Sequence, residues 1–210
     1  KGVPRKNIRI LNGLPLIAYP IQAAQKSTYV SEIYISTDDQ EIAEIAKKYG
    51  AKIIQRPTKY ATDNALDIDV MRHAVEYLSD HDDIIHLRAT TPMVQSHIID
   101  QAVEYFVDNP KCTGLRSAHE APETAYKSFK KTGEYWEGLF NDEYKEDYYN
   151  WPRQRLPKTY QPNGCIDIIR PKHFMQERTL HGAKMLAFIT PFFHEVDTID
   201  DFKIIEAIHG

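Results

Sequence analysis

The chemistry most specific to this chain lies near its C-terminus, in "HEVDTIDDF". Glu195 and Asp197 sit two apart after an apolar run that reads as a strand, and the strand period of two points both carboxylates to one side. Two hard oxygen ligands of this kind suit Mg2+, which takes one or two carboxylates and completes its octahedron with water and substrate phosphate. The plainer reading is a solvated strand end leading into a helix capped by Asp200. At the other end, "KGVPRKN" sets Lys1 and Lys6 around Gly2, two compact cations suited to phosphate oxygens and a residue that lets backbone amides come close. Read alone, it is equally a basic tail. GxxxxGK[ST] and GxGxxG are both missing from the sequence, so neither a P-loop nor a dinucleotide-binding oxidoreductase is indicated.

Three weaker signals accompany these. "WPRQRLPKTYQPNG" brings Arg153, Arg155 and Lys158 before an Asn163-Gly164 turn. An Arg fork can take a carboxylate through two parallel bonds and an Asn amide can read a sugar hydroxyl, which together point to an acidic sugar; a basic surface loop is the plainer alternative. Asp38, in "STDD", follows a strand directly, at the edge where α/β proteins bind ligands, and serves there as a ribose or metal contact or simply as a helix N-cap. The nine histidines are scattered singly and read mostly as surface or satisfied core residues. Neither HExxH nor a nucleophile elbow is found.

The elements that must position these residues alternate. "SEIYIST" and "AKIIQRP" read as strands around the helix "QEIAEIAKKYG", whose Ile42, Ile45, Ala46 and Tyr49 form one stripe and whose Gly50 is a stop. A second helix keeps Leu66, Val70, Met71, Ala74, Val75 and Leu78 in phase behind Asp63 as N-cap. "DDIIHLRATTP" is a strand with its exit loop, "SHIIDQAVEYFVDNP" a helix and "TGLRSAH" another strand; "CIDIIRP", "KMLAFITPFFHEVDT" and "IDDFKIIEAIHG" resume the pattern. This predicts an α/β fold, a mostly parallel Rossmann-like sheet with helices on both faces. Residues 120–160 break the alternation with aromatics lacking helical period; they read as an inserted two-stranded arm that packs on a second subunit, and otherwise as a loop over the core. The α/β domain is thus 1–119 with 161–210.

Bulk properties narrow the class. A net charge of −4 does not suggest a nucleic-acid or membrane-surface binder. Cys112 and Cys165 have no CxxC spacing, so a reducing cytoplasm fits. No apolar run approaches the roughly 18 residues of a membrane span.

In order along the chain, "KGVPRKN", "ISTDDQEIAEIAKKYGA", "RPTKYATD", "LRATTP", "PRQRLPKTYQPNG" and "EVDTIDDF" resemble the acylneuraminate cytidylyltransferases, the CMP-sialic acid synthetases and their relatives for other nonulosonic acids. The resemblance spans almost the whole chain and implies a nucleotide-diphospho-sugar-transferase-like fold. It also implies transfer of CMP from CTP to the anomeric hydroxyl of an acidic nine-carbon sugar, with Mg2+, in a cytoplasmic homodimer. Nucleotide contacts are implied at Lys1, Lys6, Asn7, Asp38, Arg56 and Arg88, sugar contacts at Arg153, Asn163 and Asp167, metal ligands at Asp197 and Glu195, and catalytic roles for Lys6 and Asp197. Arg88 stands where many of these enzymes have Gln, and Asp167 where a Tyr follows the PNG turn. The family signature ARGGSKGxxxKN is represented only by its second half, so the chain is expected to begin late, with about 10 to 15 residues and a central strand missing ahead of Lys1 and a gap left in the core. Rival readings are a CMP-KDO-type or other sugar-nucleotide transferase, and a noncatalytic dimeric binding module.

Overall fold

The computed structural model describes residues 3–62, 64–78, 83–144 and 147–209. A short hairpin, β1 (Ile10–Leu11) and β2 (Leu14–Pro15), turns through Asn12 and Gly13 at φ 44° and 84° and leads into α1 (Ala18–Gln25). β3 (Tyr34–Thr37), α2 (Gln40–Lys48) and β4 (Lys52–Gln55) form a parallel βαβ unit. Ile42, Ile45, Ala46 and Tyr49 of the α2 stripe pack with Ile17, Ile21 and Ile53, and Gly50 ends the helix at φ 87°, a conformation a side chain would strain. The α2 N-cap is Asp39, whose Oδ1 accepts from the N–H groups of Glu41 at 2.8 Å and Ile42 at 3.0 Å, so Asp38 is not needed for that task. Asp63, the expected cap of α3 (Asp67–Tyr77), lies outside the described residues.

The larger sheet contains β5 (Ile84–His86), β6 (Gly114–Glu120), β9 (Tyr160–Ile169) and β10 (Met185–Ile189), in the order β10-β6-β9-β5. β10 is parallel to β6, whereas β9 runs antiparallel to both β6 and β5, so three strands share one direction and the sheet is mixed. The reversal follows from β9 returning out of the inserted arm instead of out of a crossover helix. α4 (Ser96–Val107) lays Ile99, Ala102 and Phe106 on Leu115, Ile166 and Ile168, which together make the main core. α5 (Pro171–Glu177) and α6 (Ile199–His209) complete the cover.

A cleft of about 620 Å³ separates β3 from β5. Residues 31–38 form one wall and 83–90 the other, with Val70, Met71 and Ala74 of α3 along the base and Asn7, Asp38, Arg56, Asp67 and Arg88 at polar positions.

The arm carries its own antiparallel pair, β7 (Phe129–Thr132) and β8 (Tyr135–Gly138), separate from the main sheets. Its aromatic composition makes a local core around Tyr148, which is fully buried and whose hydroxyl accepts from the Phe140 N–H at 2.7 Å. Tyr126 stacks on Phe140 with ring centroids 4.1 Å apart. A Cβ at position 138 would collide with the Tyr148 hydroxyl, which is why glycine stands there. Tyr135 and Trp136 remain 79% and 71% exposed.

Candidate active site

The paired carboxylates are positioned without the strand that the sequence suggests. β10 ends at Ile189, and the extended segment beyond it is pinned by the Val196 N–H donating to the Thr90 carbonyl at 2.7 Å. Val196 is fully buried between Leu11, Leu16 and Phe202. Burying that one side chain leaves Glu195 half-buried and Asp197 exposed on either side of it. The helix that follows is capped by Thr198 and Asp201, not by Asp200: the Asp201 carboxylate accepts from the Thr198 N–H at 2.7 Å while the Thr198 hydroxyl accepts from the Asp201 N–H at 3.3 Å. The N–H groups of Asp197 and Thr198 hold the Asp201 carboxyl below its ordinary range, against the effect of burial. Asp200 instead pairs with Lys203 at 2.6 Å.

The opening loop meets this segment. Lys6, in a 3-10 turn spanning Lys6–Ile8, places Nζ 2.9 Å from Asp197 Oδ1, across 191 residues of sequence. The turn is held by the Asn7 carbonyl, which accepts from the Ile17 N–H at 2.8 Å, and by Arg5, which takes φ 55° and pairs with Glu41. Lys1 and Gly2 lie outside the described residues.

A third element joins at the Asn163-Gly164 turn. Gly164 has φ 57°, and a Cβ there would lie 3.2 Å from Glu195 Oε1, 3.2 Å from Arg88 Cδ and 3.3 Å from the Thr91 hydroxyl. The missing side chain lets the β5 exit loop and the Glu195 segment close around the turn. Asn163 itself is 2% exposed and engaged inside the protein: its amide nitrogen donates to the Thr190 hydroxyl at 2.6 Å and its oxygen accepts from Ser117 Oγ at 2.8 Å. The structure therefore places Asn163 behind the turn, where it shapes the backbone, instead of on an open sugar-facing surface.

Asp167 is likewise internal. Its oxygens face Arg88 Nη1 at 2.8 Å and His181 Nε2 at 3.0 Å, so it stands behind Arg88 and away from any sugar in solution. Burial pushes this carboxyl up, but the His181 hydrogen bond and the charge of Arg88 outweigh it and hold the group at about 2. Burial, reinforced by Arg88, pulls His86 down to about 4 in the same cluster. The histidines were not legible as a group: His86 and His181 converge on Asp167, while His73 and His119 each have a buried Nδ1 with no hydrogen-bond partner. The available signal was an acidic residue inside the apolar strand "CIDII", which demands a buried partner.

On the cleft, Arg56 donates from Nε to the Ser36 hydroxyl at 3.1 Å and from Nη2 to the Ser36 carbonyl. Burial lowers its pKa and the charge of Asp38 opposes this, which puts Asp38 and Arg56 in one electrostatic unit. The basic set around 153–158 divides: Arg155 lies 4.8 Å over the Trp151 ring, Lys158 pairs with Glu120 at 2.7 Å, and Arg153 is exposed and donates to the Ala121 carbonyl at 3.4 Å. Cys165 is buried, which together with the charge of Asp167 pushes its thiol up to about 12 and leaves it unreactive.

Set beside known proteins, residues 1–149 match the cytidylyltransferase family profile. The chain belongs to the cytidylyltransferase family. It is 30% identical over 216 residues to a pseudaminic acid cytidylyltransferase of Campylobacter jejuni, covering 100% of this chain and 91% of that protein. It is 36% identical to the post-translational flagellin modification protein B of Campylobacter coli, covering 98% and 88%. The N-acylneuraminate cytidylyltransferase of Escherichia coli is 29% identical over 97% of this chain, which spans about half, 48%, of that longer protein. In fold the chain is similar to CMP:2-keto-3-deoxy-manno-octonic acid synthetase complexed with CTP, with a TM-score of 0.72 at 17% identity over 99% of this chain and 92% of the other. Among the described residues no helix is long and apolar enough to cross a membrane.

Proposed function

We propose that this cytidylyltransferase moves CMP from CTP to the anomeric hydroxyl of a nonulosonic, sialic-type sugar acid and releases pyrophosphate, in the cytoplasm. The observation that carries the reading is the 2.9 Å meeting of Lys6 and Asp197, which sets a phosphate-seeking cation beside a carboxylate suited to the phosphates' metal. The donor set fits Mg2+. Asp197 is 69% exposed with one cation partner, Glu195 stands on the same segment, and this ion needs only one or two protein carboxylates. Among the described residues no group of three or more His, Cys, Asp or Glu is arranged so that it could hold a metal ion by itself. When bound, Mg2+ would neutralise charge that builds on the phosphates as pyrophosphate leaves.

The protein's own part is binding and orientation. Lys6 holds phosphate oxygens, Asp38 and Arg56 on the cleft edge contribute to nucleotide placement, and exposed Arg153 takes the sugar carboxylate. The sugar hydroxyl then attacks the α-phosphate in line, with little covalent chemistry left to side chains.

The test is pyrophosphate release with CTP, UTP and GTP against nine-carbon sugar acids and an eight-carbon 2-keto-3-deoxy acid. Turnover restricted to CTP with a nine-carbon acid is expected. Preference for the eight-carbon acid would move the chain to the rival synthetase class, and no release with any pair would leave a binding module. The arm, with Tyr135 and Trp136 exposed, is proposed to pack across a two-fold axis. Light scattering at micromolar protein should give the mass of a dimer; a monomer refutes that use of the arm.

A further inference from the structure

Arg88 and Asp167, legible in sequence only as two separate ligand contacts, are one unit in the structure. Asp167 lies on β9 with its side chain 3% exposed. Its Oδ2 accepts from Arg88 Nη1 at 2.8 Å and its Oδ1 faces His181 Nε2 at 3.0 Å. His86 Nδ1 stands 3.7 Å and Arg116 Nε 3.9 Å away, too far for well-formed hydrogen bonds. The short partners of the buried carboxylate are therefore Arg88 and His181.

Among the described residues Arg88 is held on one side only. Its side chain is 21% exposed and lines the cleft. Its second arm, Nη2, has the exposed Asp67 Oδ2 at 4.0 Å, beyond hydrogen-bond reach. The stem of the same arginine and Glu195 Oε1 each lie 3.2 Å from the space a Gly164 side chain would occupy, which brings the Arg88 stem and the Glu195 carboxylate to the same turn. A planar fork with one edge locked in the interior and the other turned to the cleft is already oriented for an anion, so little rotamer freedom is lost on binding.

We propose that Asp167 is a positioning residue that locks Arg88 so that its outward arm binds an anionic oxygen of the substrate. Resting on the reading above, that oxygen belongs either to a CTP phosphate or to the sugar carboxylate. Asp167 itself touches neither substrate.

Full-length wild type, Arg88→Lys, Asp167→Asn, Arg88→Gln and the double variant Arg88→Gln/Asp167→Asn are compared by pyrophosphate release. KM is measured separately for CTP and for the sugar acid that wild type turns over fastest, and Tm is recorded for each protein. Arg88→Lys keeps the charge but loses the fork, and is expected to raise one KM about tenfold with kcat within about threefold and Tm unchanged. Asp167→Asn should raise the same KM, and should add less than about twofold in the Arg88→Gln background. A rise confined to CTP assigns the anion to a phosphate; one confined to the sugar assigns it to the carboxylate. Unchanged KM values in Arg88→Lys overturn the proposal. So does an undiminished Asp167→Asn effect when Arg88 is already Gln, or an effect of Asp167→Asn on Tm alone. Should Asp167→Asn unfold by itself, the double variant decides: KM equal to that of Arg88→Gln supports the proposal, and a further tenfold rise overturns it. A wild type that releases no pyrophosphate defeats the proposed function instead, so the two failures are distinct.

Discussion

Asp197→Asn is expected to lower magnesium-dependent turnover by about a hundredfold or more while the protein stays folded. The substitution keeps the shape of the side chain but removes the charge that would hold a divalent ion on the triphosphate, and losing one charge-matched contact of that kind costs about 3 kcal/mol of transition-state stabilisation. Its structural cost is small for three reasons. The side chain is 69% exposed, its partner Lys6 forms a surface ion pair with it, and the cap of α6 is made by Thr198 and Asp201. Exposed pairs contribute about 1 kcal/mol or less. The measurement is kcat against Mg2+ concentration, with a thermal melt as control. Undiminished turnover would remove Asp197 from the metal site.

Arg88→Ala has a different signature, a large loss of stability. It strips the cationic partner from a carboxylate that is 3% exposed, and breaking a buried pair in this way costs about 3 kcal/mol or more. For a chain of this length that is a fall in Tm of roughly 6 to 12 °C. The same cluster fixes how the wild type responds to acid. Burial and Arg88 hold His86 down at about 4, so the unfolded chain takes up that proton first and stability falls as pH drops from 6.5 towards 4. Asp167 sits at about 2, below its ordinary 3.8, where burial pushing it up is outweighed by His181 and Arg88, so its contribution is present above 3.8 and is lost as pH falls further. The charged or titratable groups facing the pair are Arg88, Arg116, His181 and Asp67, from β5's exit loop, β6, the segment before β10 and α3. Calorimetric Tm values at pH 7.5, 5.5 and 4.5 should descend in that order. A flat profile would contradict the lowered His86, and an Arg88→Ala melt within about 2 °C of wild type would contradict the assignment of Asp167 as a charged, internally paired group.

Periodic burial made most of the fold readable. The α2 stripe, α4 with Ile99, Ala102 and Phe106, and the alternating strands all follow from hydrophobic spacing and stop signals. The direction of β9 was not readable, because "CIDIIRP" looks the same in a parallel or an antiparallel sheet and only the return from the arm decides. At the site, residue types indicated which side chains could meet phosphate and metal, and Lys6 does meet Asp197. Tertiary placement decided the rest. Asn163 turns inward to Ser117 and Thr190 because a tight turn closes over it, and Asp167 turns inward to Arg88 and His181 because its strand is buried. "TLHGA" carries no local sign that His181 will reach a carboxylate 14 residues earlier.

The central claim is that the N-terminal lysine and the C-terminal carboxylates grip one metal-bound triphosphate. Crystals grown with CTP and Mn2+ test it directly through the anomalous scattering of the ion. The account predicts a single strong peak at the Asp197 and Glu195 carboxylates, bonded to phosphate oxygens, with Lys6 turned from Asp197 onto the phosphates. A peak elsewhere, or a triphosphate bound out of reach of Lys6, would contradict it.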